Sequence, residues 1–427
     1  MEIHDLYTLY LKYPSIQTDT RKIKEGDVYF ALKGPTFNGN KFAKVAAELN
    51  ASYIILDEPA DFISEKIIYV NNVLETLQAL AKYHRQHFTI PFIAITGSNG
   101  KTTTKELVHE VLSTTYKTYT TKGNLNNHIG IPLTILSVKA EAEIAVIEMG
   151  ANHLKEIESY CQYTLPTHGL ITNCGKAHLE GFGGVDGVKK AKGELFDYLK
   201  NHEGTAFIFS DYDYLTEMSK GIKTIKTYGS TYADTVGRES NNNEFLNVLI
   251  IDGTGNIIES IKTNLVGSYN LPNVLAAIAI GRYFNVTEEK IKNALEQYTP
   301  SNSRSQLIEK DSNKIILDAY NANPSSMKVA IENFAGIKSE SKVLLLGGMM
   351  EMGEGSITEH QQLIALIKKY NWKSVVLVGG DFKNISHPYI YFDTALQAKE
   401  WLDQQYFQNS MLLIKGSRSM QMEKILS

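Results

Sequence analysis

The stretch Ile90–Thr104, IPFIAITGSNGKTTT, constrains the fold of this chain more than any other. Phe92–Ile95 is a short apolar run that reads as a buried strand. The residues after the threonines, KELVHEVL, read as a helix. Between them lies Gly97-Ser98-Asn99-Gly100. A strand that turns through glycines into a helix aims backbone N–H groups and the helix dipole at an anion. In such loops a lysine reaches the terminal phosphates and the next hydroxyl ligates Mg²⁺. Lys101 and Thr102 hold those places here, with Thr103 beside them. Two residues separate the glycines, where the usual P-loop has about four, so the string alone is weak. The flanking strand and helix favour nucleotide phosphate binding over an ordinary strand–helix turn.

Composition narrows the class. A chain of 427 residues predicts two to four domains. With 43% hydrophobic and 21% charged residues it reads as soluble and globular. A net charge of −4 implies no general affinity for nucleic acid. The two cysteines, Cys161 and Cys174, match no metal spacing and read as buried thiols in a reducing cytoplasm. The first residues, MEIHDLYTLYLKYPSI, lack the basic-then-apolar pattern of a signal peptide, and no apolar run approaches the ~20 residues of a membrane span. A cytoplasmic protein with no membrane insertion is expected.

The pattern along the chain is α/β throughout, in three units. Residues 1–88 read as a small unit, with strands in DVYFAL, ASYIIL and Ile67–Val70 and helices at Asn40–Leu49 and Val73–His87. Its polar stretches around Thr20 and Arg21, and from Lys33 through Asn38, have two readings: surface turns, or the rim of a ligand site. Residues 89–300 carry the phosphate loop and a mostly parallel sheet, with strands Glu143–Met149, His168–Asn173 and Ala206–Ser210. Glu148 and His178 fall just beyond strand ends, where open parallel sheets bind ligands. For Glu148 the alternatives are metal ligation and a salt bridge; for His178 they are a structural role and metal ligation. The loop holding Asn126 and Asn127 is dense in amides, and Lys189 and Lys190 read as a solvated helix face. Asp252-Gly253-Thr254-Gly255 signals a hairpin. Residues 301–427 alternate strands and helices in a doubly wound pattern. Lys415, Ser417 and Arg418 follow its last strand, read as an anion contact or as surface charge.

Several strings together resemble the Mur ligases: TGSNGKTTTKE, GNLNNHIGIP, EMGANHLKEI, KAHLEGFGG followed by AKGEL, GSYNLPN, GGMMEMGE, DAYNANPSSM and KGSRSM. The third-unit strings point to the type that adds D-alanyl-D-alanine to UDP-N-acetylmuramoyl-tripeptide. The resemblance covers nearly the whole chain. It implies an N-terminal domain for the uridine nucleotide, a central P-loop ATPase domain and a C-terminal Rossmann-like domain. It implies ATP-dependent amide ligation through an acyl phosphate, two Mg²⁺ ions and a monomer. By the same resemblance, Gly97–Thr103 hold ATP phosphates, while Asn273, Arg304 and Asp318 surround adenine, phosphate and ribose. Thr102 and Glu148 hold one Mg²⁺, and His178 and a carbamylated Lys192 the second; Lys101, Lys192 and His178 are the catalytic set. Thr20, Arg21, Lys33, Asn38, Asn126, Asn127, Asn321, Asn323, Lys415, Ser417 and Arg418 contact the substrates. The family often has Asp where Gly348 stands and His where Tyr269 stands. Other amide ligases of the family, folylpolyglutamate-type enzymes, a P-loop kinase and a non-catalytic nucleotide-binding partner are the rival readings.

Overall fold

The computed structural model describes residues 1–240, 245–301 and 303–427. Among these residues the strands form three main sheets and one small hairpin. The N-terminal sheet has four parallel strands in the order Ile16–Gln17, Val28–Phe30, Tyr53–Leu56, Ile67–Tyr69. The helix expected over Asn40–Leu49 begins as a tighter 3₁₀ turn, Gly39–Phe42, and is α-helical only over Ala43–Glu48. The Asn38 side chain accepts from Asn40 N there, drawing the backbone into the tighter turn.

The second sheet has nine described strands. Phe92–Thr96 lies inside it, between His168–Ile171 and Ile144–Glu148, with Thr118–Thr120 at the edge beyond. On the other side follow Thr205–Phe209, Thr224–Gly229 and Thr235–Glu239, all parallel. A long antiparallel hairpin, Phe245–Ile251 with Ile257–Val266, completes it. The turn at Asp252 forms as its residues dictate: the carboxylate accepts from Thr254 N and Asn256 N, and Gly255 takes φ +91°. After Phe92–Thr96 the chain first crosses to one side of that strand and later returns on the other. The phosphate loop therefore opens at the point where strand order reverses, the place where α/β sheets form a ligand crevice.

The third sheet has the order Gln306–Lys310, Asn313–Asp318, Met411–Lys415, Lys342–Gly347, Ser374–Val378, Ile390–Phe392, antiparallel only in its first pair. It carries apolar clusters on both faces, as a doubly wound sheet must. The first apolar cluster, by contrast, runs from the N-terminal unit into the central one without a break. Helix Val73–Arg85 is the bridge, packing on Gly130–Leu136 and Glu156–Thr164. Its buried Arg85 donates to Thr164 O at 2.9 Å and Leu165 O at 3.0 Å and stacks on Phe92, 3.8 Å from the ring centre.

Candidate active site

The phosphate loop is tied down by hydrogen bonds to the strand and loop beside it. Ser98 N donates to Asn173 O at 2.9 Å, and Ser98 Oγ to Gly175 O at 2.8 Å. Asn99 N donates to Asn173 Oδ1 at 3.1 Å, and Thr172 Oγ1 donates to Asn99 O at 2.6 Å. Two glycines make this fit. At Gly97, φ is +142° and a Cβ would lie 2.0 Å from Thr172 Oγ1; at Gly100, φ is +78° and a Cβ would lie 2.7 Å from Asn273 Oδ1. Gly100 then caps the helix Lys101–Ser113, whose first N–H groups face outward. Lys101 Nζ folds over the loop and donates to Gly97 O at 2.7 Å and Ser98 O at 3.1 Å. Desolvation presses its pKa below the ordinary lysine value, and Glu148 partly opposes this.

Glu148 ends strand Ile144–Glu148 at 1% exposure. Its Oε1 accepts from Asn126 Nδ2 at 2.7 Å. Its buried Oε2 has no hydrogen-bond partner among the described residues. A buried carboxylate oxygen without a proton donor is costly unless a cation is meant to meet it. With Thr102 lining the same space, Glu148 fits a divalent cation. Lys192 lies on helix Val185–Asn201, 1% exposed, with Nζ donating to Ala151 O at 3.2 Å and lying 4.9 Å from the Phe182 ring centre. Burial first, and then the charge of Lys101, bring its pKa down to about 7. A neutral amine is what reaction with CO₂ requires, so the residue fits carbamylation. Lys190 on the same helix is exposed and Lys189 half-buried.

One cavity of about 1040 Å³ joins the phosphate loop and Glu148 to the third unit; Lys192 is not among its lining residues. Ser98, Asn99, Gly100, Lys101, Thr102, Thr103, Asn126, Asn127, Glu148, His178 and Asn273 line it from the central unit. Arg304, Asp318, Asn321 and Lys415 line it from the third. Asn273 accepts from Thr104 Oγ1 at 3.0 Å, which seats helix Leu271–Tyr283 against the phosphate-loop helix. Asp318 pairs with the buried Lys415 at 2.5 Å, and the Arg304 guanidinium lies 3.5 Å from the centre of the Tyr320 ring. His178 pairs through Nδ1 with Glu351, whose carboxyl is thereby held below its usual pKa. The third unit rests on the phosphate loop itself, since Asn323 Nδ2 donates to Asn99 Oδ1 at 2.7 Å.

Other expected residues lie elsewhere. Ser417 is buried and internally used, accepting from Met350 N at 3.0 Å and donating to Ala322 O at 3.2 Å. Arg418 turns outward to Glu423 at 2.9 Å. Thr20, Arg21, Lys33 and Asn38 lie in the N-terminal unit, away from the cavity lining. There Arg21 pairs with Asp19 at 2.8 Å, Lys33 with Asp57 at 3.1 Å and Glu58 at 3.2 Å, and Asn38 donates to Glu58 at 2.8 Å. Gly348 packs on Gly380, where a Cβ would lie 2.6 Å from Gly380 Cα, so this backbone excludes a side chain. Tyr269 shares a hydrogen bond with Ser305 Oγ at 2.9 Å. Residue reading missed Thr172, Asn173, Tyr320 and Glu351. Thr172 and Asn173 end a marked strand, and Tyr320 and Glu351 lie inside marked strings; Thr172, Asn173 and Glu351 touch residues far away in sequence, Tyr320 a much nearer one.

Comparison with known proteins fits this geometry. Three family models match in order: "Mur ligase family, catalytic domain" over residues 12–87, "Mur ligase middle domain" over 95–281, and "Mur ligase, glutamate ligase domain" over 303–418. The UDP-N-acetylmuramoyl-tripeptide–D-alanyl-D-alanine ligase of Bacillus subtilis (strain 168) is 34% identical, covering 96% of this chain and 92% of its own. The crystal structure of MurF from Acinetobacter baumannii superposes with a TM-score of 0.87 at 30% identity, over 96% of this chain and 92% of that one. The MurF ligase of Thermotoga maritima, solved in complex with ADP, also gives 0.87, at 25% identity and 97% of both chains. Ordered matches along nearly the whole length, at a third of residues identical, leave one conclusion: the chain belongs to the Mur ligase family.

Proposed function

We infer that this chain is the ATP-dependent ligase that joins D-alanyl-D-alanine to UDP-N-acetylmuramoyl-tripeptide, giving the pentapeptide nucleotide, ADP and phosphate. The observation that carries this reading is the near-full-length likeness to ligases of that name, at 34% identity. The cavity shared between phosphate loop and third unit supports it. The reaction belongs to cytoplasmic assembly of peptidoglycan precursors, and the enzyme acts as a monomer. Among the described residues no helix is long and apolar enough to cross a membrane.

The chemistry follows from the electrophile. A carboxylate resists attack by an amine because of its charge and resonance. An oxygen of the tripeptide carboxylate attacks the γ-phosphorus of ATP, the bond to ADP breaks, and an acyl phosphate results. The amine of D-alanyl-D-alanine then attacks the acyl carbon; phosphate leaves with the C–O electron pair and the nitrogen loses a proton. Lys101 and the N–H groups from Gly97 to Thr103 hold the phosphates and offset charge on the transferred group. Asn273, Arg304 and Asp318 hold the rest of the nucleotide. Thr102 and Glu148 would hold one Mg²⁺, and His178 with carbamylated Lys192 would hold a second. When bound, these ions neutralise charge on the phosphoryl oxygens. Asn126, Asn127, Asn321, Asn323 and Lys415 orient the peptides, with Ser417 and Arg418 supporting that loop. Thr20, Arg21, Lys33 and Asn38 face the uridine nucleotide. On this assignment residues 1–88, 89–300 and 301–427 are the nucleotide-sugar, ATPase and closing domains. Closure keeps water from the acyl phosphate.

The test is phosphate release from ATP and Mg²⁺ with the two substrates singly and together. Release only with both, matched by the mass gain of a dipeptide on the nucleotide sugar, is expected. Release with another amine instead would keep the family and discard the D-alanyl-D-alanine assignment. Release without any amine would favour a kinase or hydrolase.

A further inference from the structure

The loop after strand His168–Ile171 carries more than His178. Lys176, two residues earlier, pairs with Glu359 of helix Ser356–Ile367 at 2.6 Å, and the Glu359 side chain is only 12% exposed. Lys176 N donates to Ser325 Oγ at 2.9 Å. His178 pairs with Glu351. Leu179 packs against the apolar core of the third unit as well as that of its own. This loop is therefore seated in the third unit by two carboxylates and an apolar anchor. Its other end, at Asn173 and Gly175, holds the phosphate loop. His178 takes a left-handed backbone, φ +50°, a conformation a non-glycine residue keeps only when its surroundings enforce it.

We propose that Glu351 and Glu359 are positioning residues that assemble the nucleotide site across the interface. Glu359 holds Lys176, and Glu351 orients the ring of the cavity-lining His178 through Nδ1. Carboxylate partners fix the tautomer and direction of a working imidazole in this way. Glu351 lines the cavity and Glu359 does not; both act on the site through the loop. If the third unit moved away, the loop would lose four contacts at once and the site its His178 wall. The loop thereby couples the nucleotide site to the position of the third unit. The inference rests on the ligase reading, but its hydrogen-exchange readout does not need ligation.

Hydrogen exchange of residues 173–182 is measured on the full chain with and without ADP and Mg²⁺. In the parent, nucleotide is expected to slow exchange there. In Glu359→Lys, which sets two cations face to face, and in Lys176→Glu, which sets two carboxylates face to face, that protection is expected to be lost and kcat to fall roughly tenfold, a common size for coupling between sites. The double exchange, Lys176→Glu with Glu359→Lys, restores the pair reversed and is expected to recover both. Glu351→Gln, whose carbonyl still accepts from Nδ1–H, is expected to keep most protection, and Glu351→Ala to lose it. If the double exchange stays as impaired as the singles, or if nucleotide protects the loop equally in every variant, the proposal is wrong. Absence of ligation in the parent with protection intact would instead overturn the ligase reading alone.

Discussion

Consider Lys192→Met, a substitution of similar length that removes the amine. Burial and Lys101 hold that amine at a pKa of about 7, against the ordinary 10.5. At pH 7 roughly half of it is neutral, against about one part in 3,000 for an unperturbed lysine. Unfolding restores the ordinary value, so between those two pKa values the unfolded chain binds more protons than the native one. Stability therefore rises with pH across that window. Below about pH 7 both states are protonated and the whole penalty stands, on the order of 5 kcal/mol. Methionine carries no such penalty. In CO₂-free buffer Lys192→Met is expected to resist urea better than the parent at about pH 6, with the advantage shrinking towards about pH 10. The same variant is expected to lose ligation by ~10²-fold or more, since no nitrogen remains to take up CO₂ and place an anion there. Lys192→Ala leaves space, and short carboxylic acids are expected to restore part of its activity. Urea unfolding followed by circular dichroism, beside phosphate release, measures both properties. A methionine variant less stable than the parent at about pH 6 would refute the electrostatic reasoning. Parental turnover would refute the role assigned to the amine.

Three further outcomes are expected. Lys101→Ala is expected to cut ligation by ~10²–10³-fold or more with unchanged circular dichroism, because it removes a charge aimed at the transferred phosphoryl group; near-full turnover would remove that lysine from the chemistry. Gly97→Ala is expected to weaken ADP binding at least tenfold by calorimetry, about 1.4 kcal/mol, since its Cβ would lie 2.0 Å from Thr172 Oγ1 at a φ of +142°; unchanged affinity would mean the loop absorbs the strain. Tyr320→Leu removes the ring 3.5 Å beneath Arg304. A cation–π contact of about 1 kcal/mol predicts a several-fold rise in the KM for ATP, and an unchanged KM would show that Arg304 needs no stack.

Local sequence was enough for the parts whose physics is local. The phosphate loop is a strand, two glycines at positive φ and a helix start, each dictated within a few residues. Short continuous apolar runs likewise marked strands buried on both faces, such as Phe92–Thr96. Short, half-exposed strands such as Thr118–Thr120 carry too little apolar pattern to be read. They exist because a neighbouring strand offers hydrogen bonds. Lys192 is the instructive case. It occupies an apolar stripe of its helix, between Val188, Leu195 and Leu199. A lysine on such a stripe is a signal in itself. Its lowered pKa is a property of what surrounds it, which no run of sequence states. The same holds for the orphan oxygen of Glu148, the Arg304–Tyr320 stack, and the pairing of Lys176 and His178 with carboxylates more than a hundred residues away. Sequence by itself determined which groups are available and where the backbone turns. Desolvation, charge pairing and the joining of two units over one cavity depend on distance in space, and only the tertiary structure decides them.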